Sequence, residues 1–191
     1  YLEKKKLLDN TYIIFTSDHG LSVGQHGLIG KQSLYDHSIR VPMIISGPKI
    51  KPNSKYNSDI YLQDIVPTTY DLAKITVSDE VDFKSFYQTI IDNKNEKIHP
   101  AIYGTFGCCQ SDYFDFQRMI RRDNFKLMLF PKNKRLELYN LENDPFETEN
   151  LISNYENKIL VQSMFEELIN LQKKYDDTLD LKRIFNDKIY N

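Results

Sequence analysis

The chain has 191 residues, a formal net charge of −2 and a hydrophobic share of 40%. That share is enough to build a globular core, and the interspersed acids and bases leave no basic face for nucleic acid or anionic lipid. No run of about 18 apolar residues occurs, so no transmembrane helix is expected.

The start of the chain is unusual for a complete translation product. The first residue is Tyr1, and the first methionine is Met43. We therefore interpret the chain as the later part of a longer protein. Its opening residues resemble neither a signal peptide nor a presequence.

The first half of the chain alternates apolar runs with polar loops and helical patterns. Residues 12–15 and 41–45 are short apolar runs, which predict buried strands of the parallel kind. Residues 62–75 predict a helix, and residues 83–91 predict a shorter one. A loop rich in polar residues and glycine separates the two strands.

The second half predicts a small antiparallel meander followed by a helix. Residues 102–106 and 136–139 predict strands, and residues 117–121 and 125–130 predict a hairpin between them. The helix that follows has an apolar stripe made of Val161, Met164, Phe165, Leu168, Leu171 and Tyr175. Residues 176–191 are charged, so we expect them to be peripheral.

These patterns predict an α/β fold in two parts. Residues 1–99 are interpreted as the C-terminal part of an α/β sandwich domain whose N-terminal part is missing. Residues 100–191 are interpreted as a small antiparallel sheet packed on a helix.

The loop after the first strand carries the residues best suited to chemistry. Asp18 and His19 follow the strand directly, and Lys31 comes 13 residues after Asp18. A carboxylate beside an imidazole can hold a divalent cation, and a nearby lysine can neutralise an anionic substrate. The residues alone also allow a simple turn with a solvated histidine.

The chain contains nine short motifs of note, five in its first half and four in its second. In the first half these are Thr16-Ser17-Asp18-His19-Gly20, Gly24-Gln25-His26-Gly27-Leu28, Gly30-Lys31, Tyr35-Asp36-His37-Ser38-Ile39-Arg40-Val41-Pro42 and Asp64-Ile65-Val66-Pro67-Thr68. In the second half they are Met119-Ile120-Arg121-Arg122, Phe125-Lys126-Leu127, Glu137-Leu138-Tyr139-Asn140-Leu141 and Asp144-Pro145-Phe146-Glu147-Thr148-Glu149-Asn150-Leu151. Together, in this order and spacing, these motifs resemble the sulfatase family of the alkaline phosphatase-like superfamily.

The resemblance implies a sulfuric ester hydrolase with an alkaline phosphatase-like fold. By position, Asp18 and His19 are implied metal ligands, most often for Ca²⁺, with Mn²⁺ or Mg²⁺ as alternatives. Lys31 is implied to contact a sulfate oxygen. The family nucleophile is a formylglycine made from Cys or Ser in a Cys/Ser-x-Pro-x-Arg motif. This chain lacks that motif, so we expect the nucleophile in a missing N-terminal half and expect the isolated fragment to be inactive.

Two further histidines lie within the matching stretch. His26 is a candidate for the substrate pocket, with a structural hydrogen bond in its loop as the alternative. Asp36 and His37 could contact the substrate or orient Lys31, although packing and hydrogen bonding are favoured for both residues. Half-buried, ordinary thiols are the favoured interpretation of Cys108 and Cys109.

Several polar residues outside the site motifs are expected to be unremarkable. His99 stands before Pro100 with no motif around it, so we expect it at the surface. Arg118, Arg121 and Arg122 lie on the predicted hairpin, and a solvated face is favoured for them over an anion site.

Two alternatives to a sulfatase stay open. Phosphonate monoester and phosphodiester hydrolases of the same superfamily share the Asp-His-Gly sequence and the lysine. A non-catalytic relative could instead bind a sulfated glycan. For a sulfatase the substrate would be an aryl, choline or carbohydrate sulfate, and the family suggests a periplasmic, secreted or lysosomal location.

Overall fold

The structure, a computed structural model, describes residues 1–76, 80–94, 96–107 and 116–190. In chain order, the strands are β1 (Ile13–Thr16), β2 (Ser22–Val23), β3 (Ile29–Gly30), β4 (Met43–Ser46), β5 (Ile102–Phe106), β6 (Gln117–Arg122), β7 (Phe125–Phe130) and β8 (Arg135–Asn140). The α-helices are α1 (Asp36–Ile39), α2 (Ile65–Ala73), α3 (Tyr87–Asp92), α4 (Lys158–Lys174) and α5 (Leu181–Tyr190). Within these ranges, no helix is both long enough and apolar enough to cross a membrane.

The chain divides into two compact units. The first unit contains Tyr1–Asp18 and Val41–Pro100, and the second contains His19–Arg40 and Ala101–Asn191. The domain division after residue 99 stays a prediction. The boundary between the compact units lies after Pro100, one residue later than predicted. The segment from His19 to Arg40 belongs to the second unit.

In the first unit, β1 and β4 pair side by side in antiparallel order. Phe15 lies opposite Ile44, and these two side chains are 59% and 62% exposed. The prediction of buried, parallel strands was therefore wrong for this chain. An apolar run identifies a strand but not the direction of its neighbour, and among the described residues no layer covers this face.

The first unit also contains a buried histidine–aspartate pair. Asp64 is fully buried at the start of the predicted helix, and its Oδ2 lies 2.8 Å from Nε2 of His99. The same carboxylate accepts the backbone N–H groups of Tyr61 and Lys84, at 2.7 and 2.9 Å. The expected surface position of His99 was wrong, because its partner lies 35 positions away in the sequence.

The second unit is built on the antiparallel sheet β5-β6-β7-β8. The predicted hairpin is confirmed, with Arg122 opposite Phe125 at its turn. One face of β7, formed by Phe125, Leu127 and Leu129, packs with α4 in the main hydrophobic core. The small antiparallel sheet packed on a helix is therefore confirmed, since alternation along the strands puts these apolar residues on one side.

The end of the chain adds a helix that the sequence did not predict. In α5, Leu181, Phe185 and Ile189 are at most 2% exposed and belong to the same core as α4. These residues recur every four positions, which places them on one face of a helix. The expectation of a peripheral tail was wrong, because the charged residues between them mask this spacing.

The arginines of β6 do not form a solvated face. Arg118 is only 5% exposed and makes a bidentate ion pair with Asp177. Its Nε lies 2.5 Å from Oδ2 of Asp177, and its Nη2 lies 3.2 Å from Oδ1. Arg122 pairs with Glu167 at 2.9 Å. Arg121 lies 3.6 Å from Asp36. The prediction was wrong because the partner acids of all three arginines lie far away in the sequence.

The Asp177 ion pair predicts a specific pH dependence of stability. Burial acts to raise the pKa of Asp177, but hydrogen bonds from Arg118 and Tyr103 outweigh it and hold the pKa below its usual 3.8. The folded state therefore binds this proton less readily than the unfolded state. Its stabilisation is present above that usual value and is lost as the pH falls below it.

We expect Asp177→Asn to lower the free energy of unfolding near neutral pH. The difference in this free energy between wild type and the variant, called the gap below, should become smaller as the pH falls from about 5 to about 3. Urea unfolding across this range measures the gap, and Asp187→Asn, on the exposed side of α5, is the control. A gap that stays constant with pH would contradict the assignment.

Candidate active site

The second unit carries the loop that contains Lys31. β2 and β3 form a short hairpin, and the turn between them includes Gly24 and Gly27, both with positive φ. Ser22 is fully buried, and its hydroxyl lies 2.8 Å from the carbonyl oxygen of Leu28. The hydroxyl therefore ties the two sides of the hairpin together from within.

Gly20 brings the start of this loop against the helical turn α1. Its backbone N–H donates to the carbonyl oxygen of Ser38 at 2.8 Å. A Cβ atom at position 20 would lie 2.1 Å from the carbonyl oxygen of His37, closer than any real contact. The close approach of the two backbones therefore requires glycine here.

His19 and Lys31 lie side by side. Nδ1 of His19 is 2.8 Å from the carbonyl oxygen of Gly20, and because a carbonyl only accepts, Nδ1 carries the ring proton. The lone pair of Nε2 then accepts from the ammonium of Lys31 at 2.7 Å. The structure thus brings together two of the predicted site residues, which are 12 positions apart.

The predicted metal ligands give this chain part of a donor set. Asp18, an exposed residue at the end of a first-unit segment, offers carboxylate oxygens. In the second unit, His19 offers Nε2, whose lone pair accepts from Lys31 in this structure and would have to leave that contact to bind a cation. Among the described residues, no group of three or more His, Cys, Asp or Glu could hold a metal ion. The donor types fit a divalent cation, and metal ligation by these residues stays a prediction.

His26 lies on the exposed side of the loop. Its ring stacks on that of Tyr35, with centroids 3.8 Å apart and planes 8° from parallel. Its Nε2 lies 3.2 Å from the carbonyl oxygen of Phe146. Both contacts hold His26 in its turn, where its backbone has a positive φ of 54°. A role in the substrate pocket stays a prediction.

His37 is half-buried behind the same loop. Its Nδ1 lies 2.8 Å from Oγ of Ser38, and its ring centroid is 5.7 Å from that of His26. Burial lowers the pKa of His37, and repulsion from His26 and Lys126 adds to this effect. A neutral ring packed in this way suits hydrogen bonding, and its contact with substrate also stays a prediction.

The sequence analysis missed a buried charge cluster made of Asp36, Lys126 and Glu147. The ammonium of Lys126 is fully buried and lies 2.8 Å from Oδ1 of Asp36 and 2.7 Å from Oε1 of Glu147. Glu147 also accepts the backbone N–H of Asp36 at 2.7 Å. Burial raises the pKa of Glu147, although Lys126 opposes this shift. The available signal was a lysine inside the otherwise apolar strand Phe125–Phe130.

A second buried group holds Tyr35 to the sheet. The hydroxyl of Tyr35 donates to Oε2 of Glu137 at 2.7 Å, and Tyr139 donates to the same oxygen at 3.0 Å. Arg135 pairs with the other carboxylate oxygen of Glu137. Burial, followed by the hydrogen bond to Glu137, raises the pKa of Tyr35 to about 12. Cys108 and Cys109 lie outside the described residues.

Comparison with known proteins decides the family. Residues 24–174 match the family model described as N-sulphoglucosamine sulphohydrolase, C-terminal. The arylsulfatase of Clostridium perfringens is 32% identical over 168 residues, which is 85% of this chain and 34% of the relative. The chain belongs to the sulfatase family. It spans about a third of the length of this relative.

Solved structures confirm the fold class of this sulfatase chain. BT4656, solved in complex with its substrate D-glucosamine-2-N,6-O-disulfate, is 30% identical with a TM-score of 0.83, over 93% of this chain and 37% of that protein. The phosphonate monoester hydrolase of Agrobacterium radiobacter is 24% identical with a TM-score of 0.77, over 91% and 37%. The alkaline phosphatase-like fold is therefore shared with sulfatases, and the second likeness concerns the fold alone.

Proposed function

We propose that this sulfatase chain supplies the sulfate-binding side of a sulfate-ester hydrolase site, with Lys31 contacting a sulfate oxygen. One observation carries the proposal: the ammonium of Lys31 is held 2.7 Å from His19 in a chain of the sulfatase family. A lysine fixed by a neighbouring ring keeps its charge in one place, which is what recognition of an anion requires.

The chemistry of Lys31 follows from where charge develops during hydrolysis. As an oxygen nucleophile attacks sulfur and the bond between sulfur and the ester oxygen breaks, the incoming oxygen adds negative charge to the sulfate group, and the leaving oxygen gains negative charge as well. A positioned ammonium offsets this charge without reorganising, so it favours the transition state. We assign the nucleophile, a formylglycine that would supply the attacking oxygen, to a part of the protein outside these 191 residues.

We further propose that Asp18 and His19 are ligands of a divalent cation, with Ca²⁺ first and Mn²⁺ or Mg²⁺ as alternatives. A bound cation would supply Lewis-acid stabilisation of the sulfate oxygens. The carboxylate of Asp18 is a hard oxygen donor of the kind that Ca²⁺ prefers, and His19 adds a nitrogen donor.

Removal of the metal tests these ligands. In the product of the whole reading frame that contains this chain, we expect a chelator to abolish hydrolysis and Ca²⁺ to restore it. Asp18→Asn should raise the Ca²⁺ concentration needed for half-maximal recovery about tenfold or more. If activity recovered at the same Ca²⁺ concentrations in wild type and in Asp18→Asn, Asp18 would not be a ligand of the metal.

The isolated chain is proposed to be inactive. It spans about a third of its relatives, and its described residues offer an incomplete donor set for a metal. An assay of the purified 191-residue chain with an aryl sulfate should give no turnover above background. Turnover that follows the pure protein through purification would refute this proposal.

A hydrolase of phosphonate or phosphate esters is the second candidate, because the Asp18-His19-Gly20 sequence and Lys31 fit such a site as well. Matched aryl esters of sulfate and of a phosphonate, which release the same phenol, separate the two. We expect the product of the whole reading frame to have the higher kcat/KM on the sulfate. A higher value on the phosphonate would favour the second candidate, and no turnover of either would favour a glycan-binding relative.

A further inference from the structure

Lys126 lies on the face of the sheet that turns away from α4. Along β7, Phe125, Leu127 and Leu129 belong to the core with α4, whereas Met128 and Phe130 belong to a second cluster. Because successive side chains alternate, Lys126 shares the face of this second cluster, which also contains Leu34 and Tyr35. A fully buried ammonium is retained only where it is paired, and its partners here come from outside the sheet.

The segment 34–36 is held against this face at each of its residues. The backbone N–H of Leu34 donates to the side chain of Gln117 at 2.9 Å. Tyr35 donates to Glu137, as described above. Asp36 is held through its carboxylate by Lys126 and through its backbone N–H by Glu147, at 2.8 and 2.7 Å. The position of Asp36 is therefore fixed from two directions.

From Asp36 the constraint continues to the candidate site. Asp36 begins the turn α1, and the carbonyl oxygen of Ser38 in this turn accepts the N–H of Gly20. The hydroxyls of Ser33 and Ser38 lie 3.0 Å apart, and the N–H of Ser33 donates to the carbonyl oxygen of Lys31. Both His19, next to Gly20, and Lys31 are thus tied to the turn that the charge cluster holds.

We propose that Lys126, through Asp36 and Glu147, is a positioning residue for Lys31: the buried charge cluster fixes the turn α1, and the turn fixes the His19–Lys31 pair. Lys126 acts on Lys31 only through these partners. The inference rests on the proposed role of Lys31 in binding sulfate, and it assigns a function to charges that packing alone does not require.

The test is a nitrogen-15 NMR spectrum of the His19 ring in the 191-residue chain, with Glu147→Gln as the variant. In wild type we expect one protonated and one unprotonated ring nitrogen, as the contacts with Gly20 and Lys31 require. In the variant we expect the two signals to move towards an average of both tautomers. The matched control is Glu166→Gln, which removes a partly exposed carboxylate paired with Lys182.

A folded Glu147→Gln variant with wild-type ring signals would overturn the inference. Should this variant unfold, a neutral cluster with Lys126→Met, Asp36→Asn and Glu147→Gln removes every charge of the cluster at similar volume. We expect the neutral cluster to fold and to show the same averaged signals. Wild-type ring signals in the neutral cluster would equally overturn the inference.

A kinetic cycle separates this inference from the proposed function. In the product of the whole reading frame, we expect Glu147→Gln to lower kcat about 10- to 100-fold, and to cause little further loss in a Lys31→Ala background. If the double variant lost kcat by the product of the two single losses, Glu147 would act independently of Lys31, which would contradict the inference. If wild type hydrolyses no sulfate ester, the proposed function is refuted, whereas the ring signals still decide whether the cluster fixes the pair.

Discussion

Lys31→Ala in the product of the whole reading frame is expected to lower kcat for a sulfate ester about 100- to 1,000-fold, with a smaller change in KM. The physical reason is that the ammonium stabilises charge on the sulfate oxygens more strongly in the transition state than in the bound substrate. Steady-state kinetics with an aryl sulfate, at saturating Ca²⁺, measures both constants.

The control for this variant is Lys182→Ala. Lys182 is about half exposed and pairs with Glu166 at 3.1 Å on the surface of the second unit. It should leave both kinetic constants within about twofold of wild type, because surface pairs of this kind contribute little. If Lys31→Ala were as active as this control, Lys31 would not contact the sulfate.

Lys126→Met is expected to lower the free energy of unfolding by about 3–5 kcal/mol. The variant keeps the volume of the side chain but removes the ammonium that lies between the buried carboxylates of Asp36 and Glu147. Arg121 and Arg40 stay 3.6 and 3.9 Å from Oδ2 of Asp36 and offset only part of this loss. These carboxyls should then take up a proton more readily in the folded state than when unfolded. The loss in free energy of unfolding caused by Lys126→Met should therefore be small at low pH and grow as the pH rises. Urea unfolding at two pH values measures the size of this loss and the direction in which it changes with pH.

Two controls make this prediction specific. Lys182→Met, the same substitution at a partly exposed pair, should change the free energy of unfolding by at most about 1 kcal/mol. The neutral cluster, which replaces Lys126, Asp36 and Glu147 together, should regain most of the loss because the buried ammonium and both of its carboxylate partners are then uncharged. A Lys126→Met variant as stable as wild type would contradict the buried ion pairs.

The sequence predicts the local elements of the second unit well. Alternation in β7 and the stripe of α4 are properties of neighbouring residues, so a single sequence contains them. The pairing of β1 with β4 and the core position of α5 depend instead on what lies across the fold. Phe15 and Ile44 show the same apolar pattern whether a strand is parallel or antiparallel, and whether a further layer covers it or not.

The polar residues show the same limit. Arg118 and His99 were expected at the surface because nothing near them in the sequence offers a partner, yet Asp177 and Asp64 pair with them across 59 and 35 positions. Whether a charged side chain is buried depends on such distant partners. The position of the residue in a strand or loop therefore does not show whether its side chain is buried.

The candidate site was predictable where the chemistry follows a motif. Lys31 and His19 lie within one stretch that resembles sulfatases, and the structure places them in contact. The charge cluster was not predictable in this way, because Asp36 lies 90 positions from Lys126 and 111 from Glu147. The matching stretches contain all three residues, but only the fold shows that they meet.

The most direct test of the proposed function is the coding sequence upstream of Tyr1. We expect a long continuous frame that contains Cys/Ser-x-Pro-x-Arg and further acidic residues that would join Asp18 and His19 in the proposed metal site. A frame that starts only a few codons upstream, without this motif, would contradict the proposed role of these 191 residues as the sulfate-binding part of a working sulfatase.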